Sequence, residues 1–153
     1  MVRNRLWATP NLAFFSAIAD RLGTNPFAGG TLNGDYLLTN LLGPSVARGL
    51  GQTAPHQYAR LHLVVLLVGL ALVVAATHRR FGARPARALA ALLALAPVTT
   101  VTMEWLGQPD AFTLPLALGI VVARRQATRL ALGVLLGLAH AEQGVLAALA
   151  TGA

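Results

Sequence analysis

"LVVLLVGLALVVAA", residues 63–76, is a run of fourteen apolar residues without a single charge. Arg60 precedes the run, and His78 and Arg79 follow it. Fourteen helical residues extend about 21 Å, and long flanking side chains reach across the remainder of a hydrocarbon core about 30 Å thick. The run therefore predicts a membrane-spanning helix over about residues 60–78.

The composition of the whole chain agrees with a lipid environment. Hydrophobic residues make up 56 % of the 153 residues and charged residues only 11 %, whereas soluble domains carry about 25 % charged residues. A chain of this length has too little interior to bury so much apolar surface in water. There is no cysteine, so neither a disulfide framework nor thiolate chemistry is expected.

Three further apolar segments follow the first, at residues 88–103, 110–124 and 130–150. Each predicts a helix, and Pro97 within the first of them is compatible with this because helix-breaking residues are tolerated in membranes. Residues 58–153 are therefore predicted to be an all-α, polytopic transmembrane region with about four membrane segments.

Residues 1–57 contain no comparable run. "NLAFFSAIADRLG" (11–23) and "DYLLTNLLGPSVARGLG" (35–51) carry large apolar residues at helical spacing, and Gly43-Pro44 interrupts the second pattern. Both stretches are too short or too broken to cross a bilayer. We expect two amphipathic helices that lie at the membrane interface.

The loops set the expected orientation. "HRRFGARPAR" (78–87) holds four arginines and "RRQATR" (124–129) holds three, whereas "EWLGQPD" (104–110) holds two acids and no base. Because basic loops stay in the cytoplasm, we expect residues 1–57 and 104–110 to be extracytoplasmic in a multi-pass protein of the plasma membrane.

The formal net charge of +7 does not indicate nucleic-acid binding. All twelve basic residues are arginines, and they cluster at the ends of apolar runs rather than on a face interleaved with aromatic residues. Membrane lipid is the expected partner, and no nucleic acid is expected.

Two acids flank the short turn between the second and third apolar segments. Glu104 follows a helix end, where the helix dipole disfavours a carboxylate, so it is either functional or a solvated loop residue. Asp110 follows Pro109 at a helix start, so it is either functional or an ordinary helix-starting acid. Gln108 lies between the two acids.

A second polar group, "AHAEQG" (139–144), interrupts the fourth apolar segment. Ionisable residues at membrane depth are functional candidates, unless the helix has already reached water at that point. His140 and Glu142 would point to opposite sides of one helix, and they lack the i, i+4 spacing of a zinc helix. No metal site is therefore predicted.

The remaining candidates lie before the first span or at its start. Asp35 is either a catalytic acid or a helix N-cap. Arg48 and Arg60, with His56 and His62, either contact an anionic head group or simply flank the membrane span.

Four stretches of the sequence together resemble the GT-C superfamily of polytopic membrane glycosyltransferases, such as mannosyl- and arabinosyltransferases. They are "NPFAGG", "NGDYLLTNLLGPSVARGLG", "GQPDAFTLPLALGIVVARR" and "LALGVLLGLAHAEQGVLAALA". The likeness consists of a GQPD turn before a leucine-rich helix ending in Arg-Arg, and of a Gly-Leu-rich helix ending in a His-containing polar motif. It covers most of residues 11–150.

The resemblance implies transfer of a sugar from a polyprenyl-phosphate donor to an acceptor on the extracytoplasmic face, with a carboxylate as general base. It assigns catalysis to Glu104, Asp110 and Asp35. Substrate-binding residues on the same basis are Gln108, His140, Glu142, Arg48 and Arg60. It requires no particular cofactor and is compatible with a divalent cation.

The family also has a membrane span before its outer loop and an acid where this chain has Asn11. The resemblance therefore leads us to expect an incomplete member, one part of a split or truncated protein.

The alternative is a non-catalytic membrane protein, either a transporter segment or a helix-packing subunit. Gly69, Gly119, Gly133 and Gly137 would serve close helix contacts equally well, and the last two form a GxxxG motif. The two hypotheses differ in whether the acids meet in an outer cleft or face a channel between spans.

Overall fold

The structure, a computed structural model, describes residues 10–22, 40–104 and 108–151, and these residues are all-α, as predicted. Their helices in chain order are α1 (Pro10–Arg21), α2 (Leu42–Gly49), α3 (Pro55–Phe81), α4 (Ala83–Leu95), α5 (Pro97–Glu104), α6 (Asp110–Val122), α7 (Gln126–Ala139) and α8 (Ala141–Thr151). Asp35 lies outside the described residues.

Helix α3 contains the apolar run 63–76 and has 27 residues. Within the described part of the chain it is the one helix long and apolar enough to cross a membrane, with a mean hydropathy of 2.4 over an 18-residue segment. Pro55 lies in its first turn, where an N–H is not needed, and Gly82 ends it with a φ of 90° that favours glycine.

One face of α3 packs against other helices, and the rest of its surface is open. The buried positions recur every three or four residues: Tyr58, His62, Leu66, Leu70, Val73 and Thr77. Five large apolar side chains elsewhere on the helix are at least 50 % exposed, namely Val64, Leu67, Val68, Leu72 and Phe81. An apolar face of this kind is stable only when lipid or another apolar partner covers it.

The apolar segment 88–103 is divided at Ala96, although one helix was expected. Ala96 has an extended backbone, with φ −70° and ψ 131°, and Pro97 begins the next helix. The physical reason is that proline disfavours helical backbone at the residue before it and has no N–H for the helix ladder. The segment therefore forms α4 and the short helix α5.

Helix α6 packs along α3, and α7 packs on α6. The closest approach of α3 and α6 is at Gly69, which faces Pro115, and α6 meets α7 where Gly119 faces Leu132. Between α3, α4 and α6 lies an apolar cluster formed by Leu66, Leu70, Leu93 and Ala111.

The expected helix over 130–150 is also divided. His140 has an extended backbone, with φ −159° and ψ 105°, so α7 ends there and α8 folds back on it. The two helices approach so closely that a Cβ on Gly144 would collide with the Cα of Gly137. Glycine at position 144 makes this close crossing possible, whereas a Cβ on Gly137 would meet nothing within 4 Å.

Helices α1 and α2 pack on the N-terminal part of α3. Their shared core contains Leu12, Phe15, Ile18, Ala19, Ala47, Tyr58 and Ala59. The predicted apolar face of α1 is therefore confirmed. Gly43 and Pro44 were expected to interrupt the second helix, but they do not interrupt α2. Both lie in its first turn, where backbone N–H groups have no helical partner.

Candidate functional site

Arginines lie at the C-terminal end of α3, and other polar residues lie at its N-terminal end. Tyr58 and Arg80 are separated by about 33 Å along this helix. We define the arginine end by Arg79, Arg80, Arg84, Arg87, Arg124, Arg125 and Arg129. We define the polar end by Asn40, Tyr58, His62, Gln108, Asp110 and His140.

Arg80 joins the two arginine loops. Its Nη1 donates to the carbonyl oxygen of Val122 at 2.7 Å, and to those of Val121 and Ala123 at 3.2 Å each. These are the carbonyls at the end of α6, where a cation also meets the negative end of the helix dipole. Arg124 Nη2 in turn donates to the Arg80 carbonyl at 3.4 Å. The two arginine loops are therefore in direct contact.

A buried ring pair lies at the polar end. Tyr58 and His62 are one helical turn apart, with ring centroids 4.2 Å from each other, and each is 1 % exposed. His62 Nδ1 lies 2.8 Å from the Tyr58 carbonyl oxygen. Since a carbonyl only accepts, Nδ1 is the donor, and Nε2 of the neutral ring is an acceptor. The expectation that His62 contacts a head group is wrong, because its side chain is buried.

A cavity of about 10 Å³ lies beside this pair, enough for about one water molecule. Residues around it include Asn40, Gly43, Tyr58, His62, Pro109 and Ala139. A Cβ on Gly43 would lie 3.1 Å from His62 Nε2 and 3.2 Å from Tyr58 Oη. Glycine at this position therefore leaves room for both polar atoms.

Three predicted site residues are chain neighbours of residues that line this cavity, although none of the three lines it itself. Gln108 and Asp110 flank Pro109, and both are half-buried. Asp110 is the first residue of α6, so its predicted place at a helix start is confirmed.

His140 follows Ala139, and its Nδ1 is buried without a hydrogen-bond partner in the described part of the chain. Leaving such a nitrogen unpaired costs about 1–3 kcal/mol. A ligand group or a water that bonded this nitrogen would recover that cost.

The other predicted site residues do not line this cavity, or their side chains lie outside the described residues. Arg48 Nη1 donates to the Asp20 carbonyl at 2.9 Å and lies 3.8 Å from the Asp20 carboxylate, so it joins α2 to α1. Arg60 and Glu142 are exposed. Because the helix ends at His140 and a new one begins at Ala141, His140 and Glu142 do not share one helix, and their expected opposite orientation does not apply. The side chain of Glu104 lies outside the described residues.

Sequence reasoning did not select Tyr58 or Asn40. A usable signal existed for Tyr58, because it stands in helical phase with His62, Leu66 and Leu70. No local signal existed for Asn40. Its neighbour Leu41 donates to the Leu138 carbonyl at 2.9 Å, a contact between distant parts of the chain.

The polar end offers the half-buried carboxylate of Asp110 as a proton or hydrogen-bond acceptor, and an imidazole and a phenol line the cavity at the same end. Among the described residues, no group of three His, Cys, Asp or Glu side chains is placed to hold a metal ion, so these residues do not fit a divalent cation. Comparison of the chain with protein-family models, curated proteins and solved structures gives no match.

Proposed function

We propose that the chain is a multi-pass protein of the plasma membrane, with the polar end outside and the arginine end in the cytoplasm. Its segments would be α3, α4 with α5, α6, and α7, with α8 folded back on α7. The support is a belt of large apolar side chains between the two ends, each at least 50 % exposed: Leu67, Leu72, Leu92, Val121 and Val134. The contact between the two arginine loops supports a common side for them.

In this membrane we propose a glycosyltransferase of the GT-C type, which transfers a sugar from a polyprenyl-phosphate donor to an acceptor hydroxyl outside the cytoplasm. The observation that carries the proposal is that Asp110 and His140 directly follow Pro109 and Ala139, two residues that line one small cavity at the end opposite the arginines. A substrate cleft at that end would distinguish the enzyme from a channel or a packing subunit.

The chemistry requires one carboxylate. Asp110 accepts the proton of the acceptor hydroxyl while that oxygen forms a bond to the anomeric carbon of the sugar. The bond from the anomeric carbon to the phosphate oxygen breaks, and its electron pair leaves with polyprenyl phosphate. His140 Nδ1 and Gln108 would hydrogen-bond the donor. Glu104 and Asp35 remain candidates for the same general-base role.

Transfer of a radiolabelled sugar from a polyprenyl-phosphate donor, measured in membranes containing the chain, tests this proposal. Asp110→Asn keeps the shape of the side chain but removes the base, so the rate should fall by about a hundredfold or more. Asp20→Asn is the matched control, because Asp20 is an exposed carboxylate on α1. The proposal fails if Asp110→Asn transfers as fast as the unmodified chain, or if that chain transfers no more than membranes without it.

Packing supports the non-catalytic alternative at two of its four glycines. Gly69 and Gly119 face Pro115 and Leu132 of this same chain. A Cβ on Gly133 or on Gly137 would meet no described heavy atom within 4 Å, apart from its own helix backbone and chain neighbours. The GxxxG pair is therefore open to another protein, whereas the other two glycines are not.

A further inference from the structure

We propose that the arginine end binds an anionic membrane phospholipid, with one acyl chain in an apolar groove between α3, α6 and α7. This inference depends on insertion in a membrane but not on sugar transfer.

The groove for the acyl chain has a volume of about 510 Å³. It extends from Leu42 on α2 to Ala123 at the end of α6, and Thr128 is the one polar residue among those that line it. From Phe112 to Ala123 the wall formed by α6 is about 17 Å long, more than half of a hydrocarbon core about 30 Å thick. Its length, direction and apolar walls fit a hydrocarbon chain.

A second depression of about 460 Å³ adjoins the groove at the arginine end. The two share Leu72, Ala76 and Ala123, so they form one continuous surface. The second depression adds three cations to that surface: Arg79, Arg80 and Arg124. An apolar channel that opens between arginines matches a molecule with an anionic head and a hydrocarbon tail.

The three arginines are not equivalent. Arg80 is engaged with the carbonyls at the end of α6, and Arg124 makes one long bond of 3.4 Å to the Arg80 carbonyl. Arg79 is exposed and has no hydrogen bond or ion pair within the described ranges. Arg79 and Arg124 therefore have guanidinium N–H groups available for phosphate oxygens.

Charge complementarity favours the lipid over an uncharged occupant. The sequence has no acidic residue from 77 to 103 or from 111 to 131, the stretches that contain all seven arginines of this end. A free phosphate would use only the arginines, and an uncharged apolar helix would use only the groove. A phospholipid uses both.

The test compares retention of phosphatidylglycerol and phosphatidylcholine with identical acyl chains, by native mass spectrometry of the full chain released from nanodiscs. The unmodified chain should retain phosphatidylglycerol preferentially. In Arg79→Gln/Arg124→Gln the preference should fall about thirtyfold, at about fivefold for each arginine. Arg84→Gln/Arg125→Gln removes the same charge from exposed arginines outside the two depressions and should keep the preference.

A second variant tests the groove without changing charge. Ala76 is exposed where the two depressions meet, so Ala76→Phe should fill the junction and reduce retention of the bound lipid. Ala88→Phe, an exposed position on α4 outside both depressions, is the control. Added glycerol phosphate, which has the head group without acyl chains, should not displace the lipid.

Equal loss of preference in the two double variants would show general surface charge and overturn the site. Unchanged retention in Ala76→Phe would overturn the placement of the acyl chain. An inserted chain without lipid preference overturns the lipid site alone, whereas a chain that does not enter the nanodisc overturns the membrane placement as well. Retention without any sugar transfer would leave this site standing and count against the proposed enzyme.

Discussion

A Cβ atom on Gly69 of α3 would lie 2.6 Å from the Cβ of Pro115 in α6. The backbone of α3 therefore touches the proline ring of α6 directly, near the middle of both helices. This contact sets the rotation of α3 against α6. With that rotation His62 faces Phe112, with ring centroids 5.1 Å apart, and Arg80 reaches the other end of α6.

Gly69→Ala should push α3 and α6 apart, because the added methyl group has no room. Overpacking of this kind costs about 1–3 kcal/mol, more than the gain of about 1 kcal/mol from replacing a helical glycine by alanine. Unfolding in detergent, followed by circular dichroism, measures the loss. Gly133→Ala, where the added Cβ meets no neighbouring heavy atom within 4 Å, should instead stabilise the chain. Equal stability of the two variants would contradict the contact.

Arg80→Gln should destabilise the chain, because Arg80 supplies charged donors to three carbonyls at the end of α6. Hydrogen bonds to charged groups contribute about 1.5–3 kcal/mol, and the same unfolding measurement reports the loss. Arg84→Gln, an exposed arginine on α4, should change stability little. A similar loss in both variants would mean that overall charge, rather than these bonds, stabilises the arginine end.

His140→Leu should unfold at the same temperature as the unmodified chain or higher. A buried nitrogen without a described partner costs about 1–3 kcal/mol of stability, and the substitution removes that nitrogen. Sugar transfer should fall in the same variant, since His140 is proposed to bind the donor. His78→Leu, an exposed histidine at the arginine end, controls for the change in residue type. A large loss of stability in His140→Leu would instead assign the imidazole a structural role.

Ser45→Cys on α2 should react with a membrane-impermeant maleimide in intact cells, whereas Ala83→Cys on α4 should react only after permeabilisation. Both positions are exposed, and the sequence contains no cysteine to react in the background. The expectation follows from placing the arginine end in the cytoplasm. Labelling of the two positions in the reverse order would invert the proposed orientation.

Features that depend on local sequence could be predicted. The uncharged run 63–76 predicts α3, Pro109 and Asp110 predict the start of α6, and the spacing of Leu12, Phe15 and Ile18 predicts the buried face of α1. Each depends on residues within a few turns of one helix.

Features that depend on contacts between elements could not be predicted. The division at His140 has no local glycine or proline cause, and it accompanies the crossing of Gly137 and Gly144. The small cavity at the polar end is lined by residues of five helices, α1, α2, α3, α6 and α7, and the Leu41–Leu138 hydrogen bond joins two of these regions. The division at Ala96 is different, because it has a local cause in the sequence: Pro97 disfavours helical backbone at the residue before it. The resemblance to glycosyltransferases stays a prediction.

Pro115 has one further consequence. It carries no amide hydrogen for the carbonyl of Ala111, so the backbone ladder of α6 has a gap in its first half. The turn that bears Asp110 can then open on its own, while the half held by Arg80 stays closed. Backbone amides before Pro115 should accordingly exchange with deuterium faster than those after it, so the polar end can open without any shift of the arginine loops.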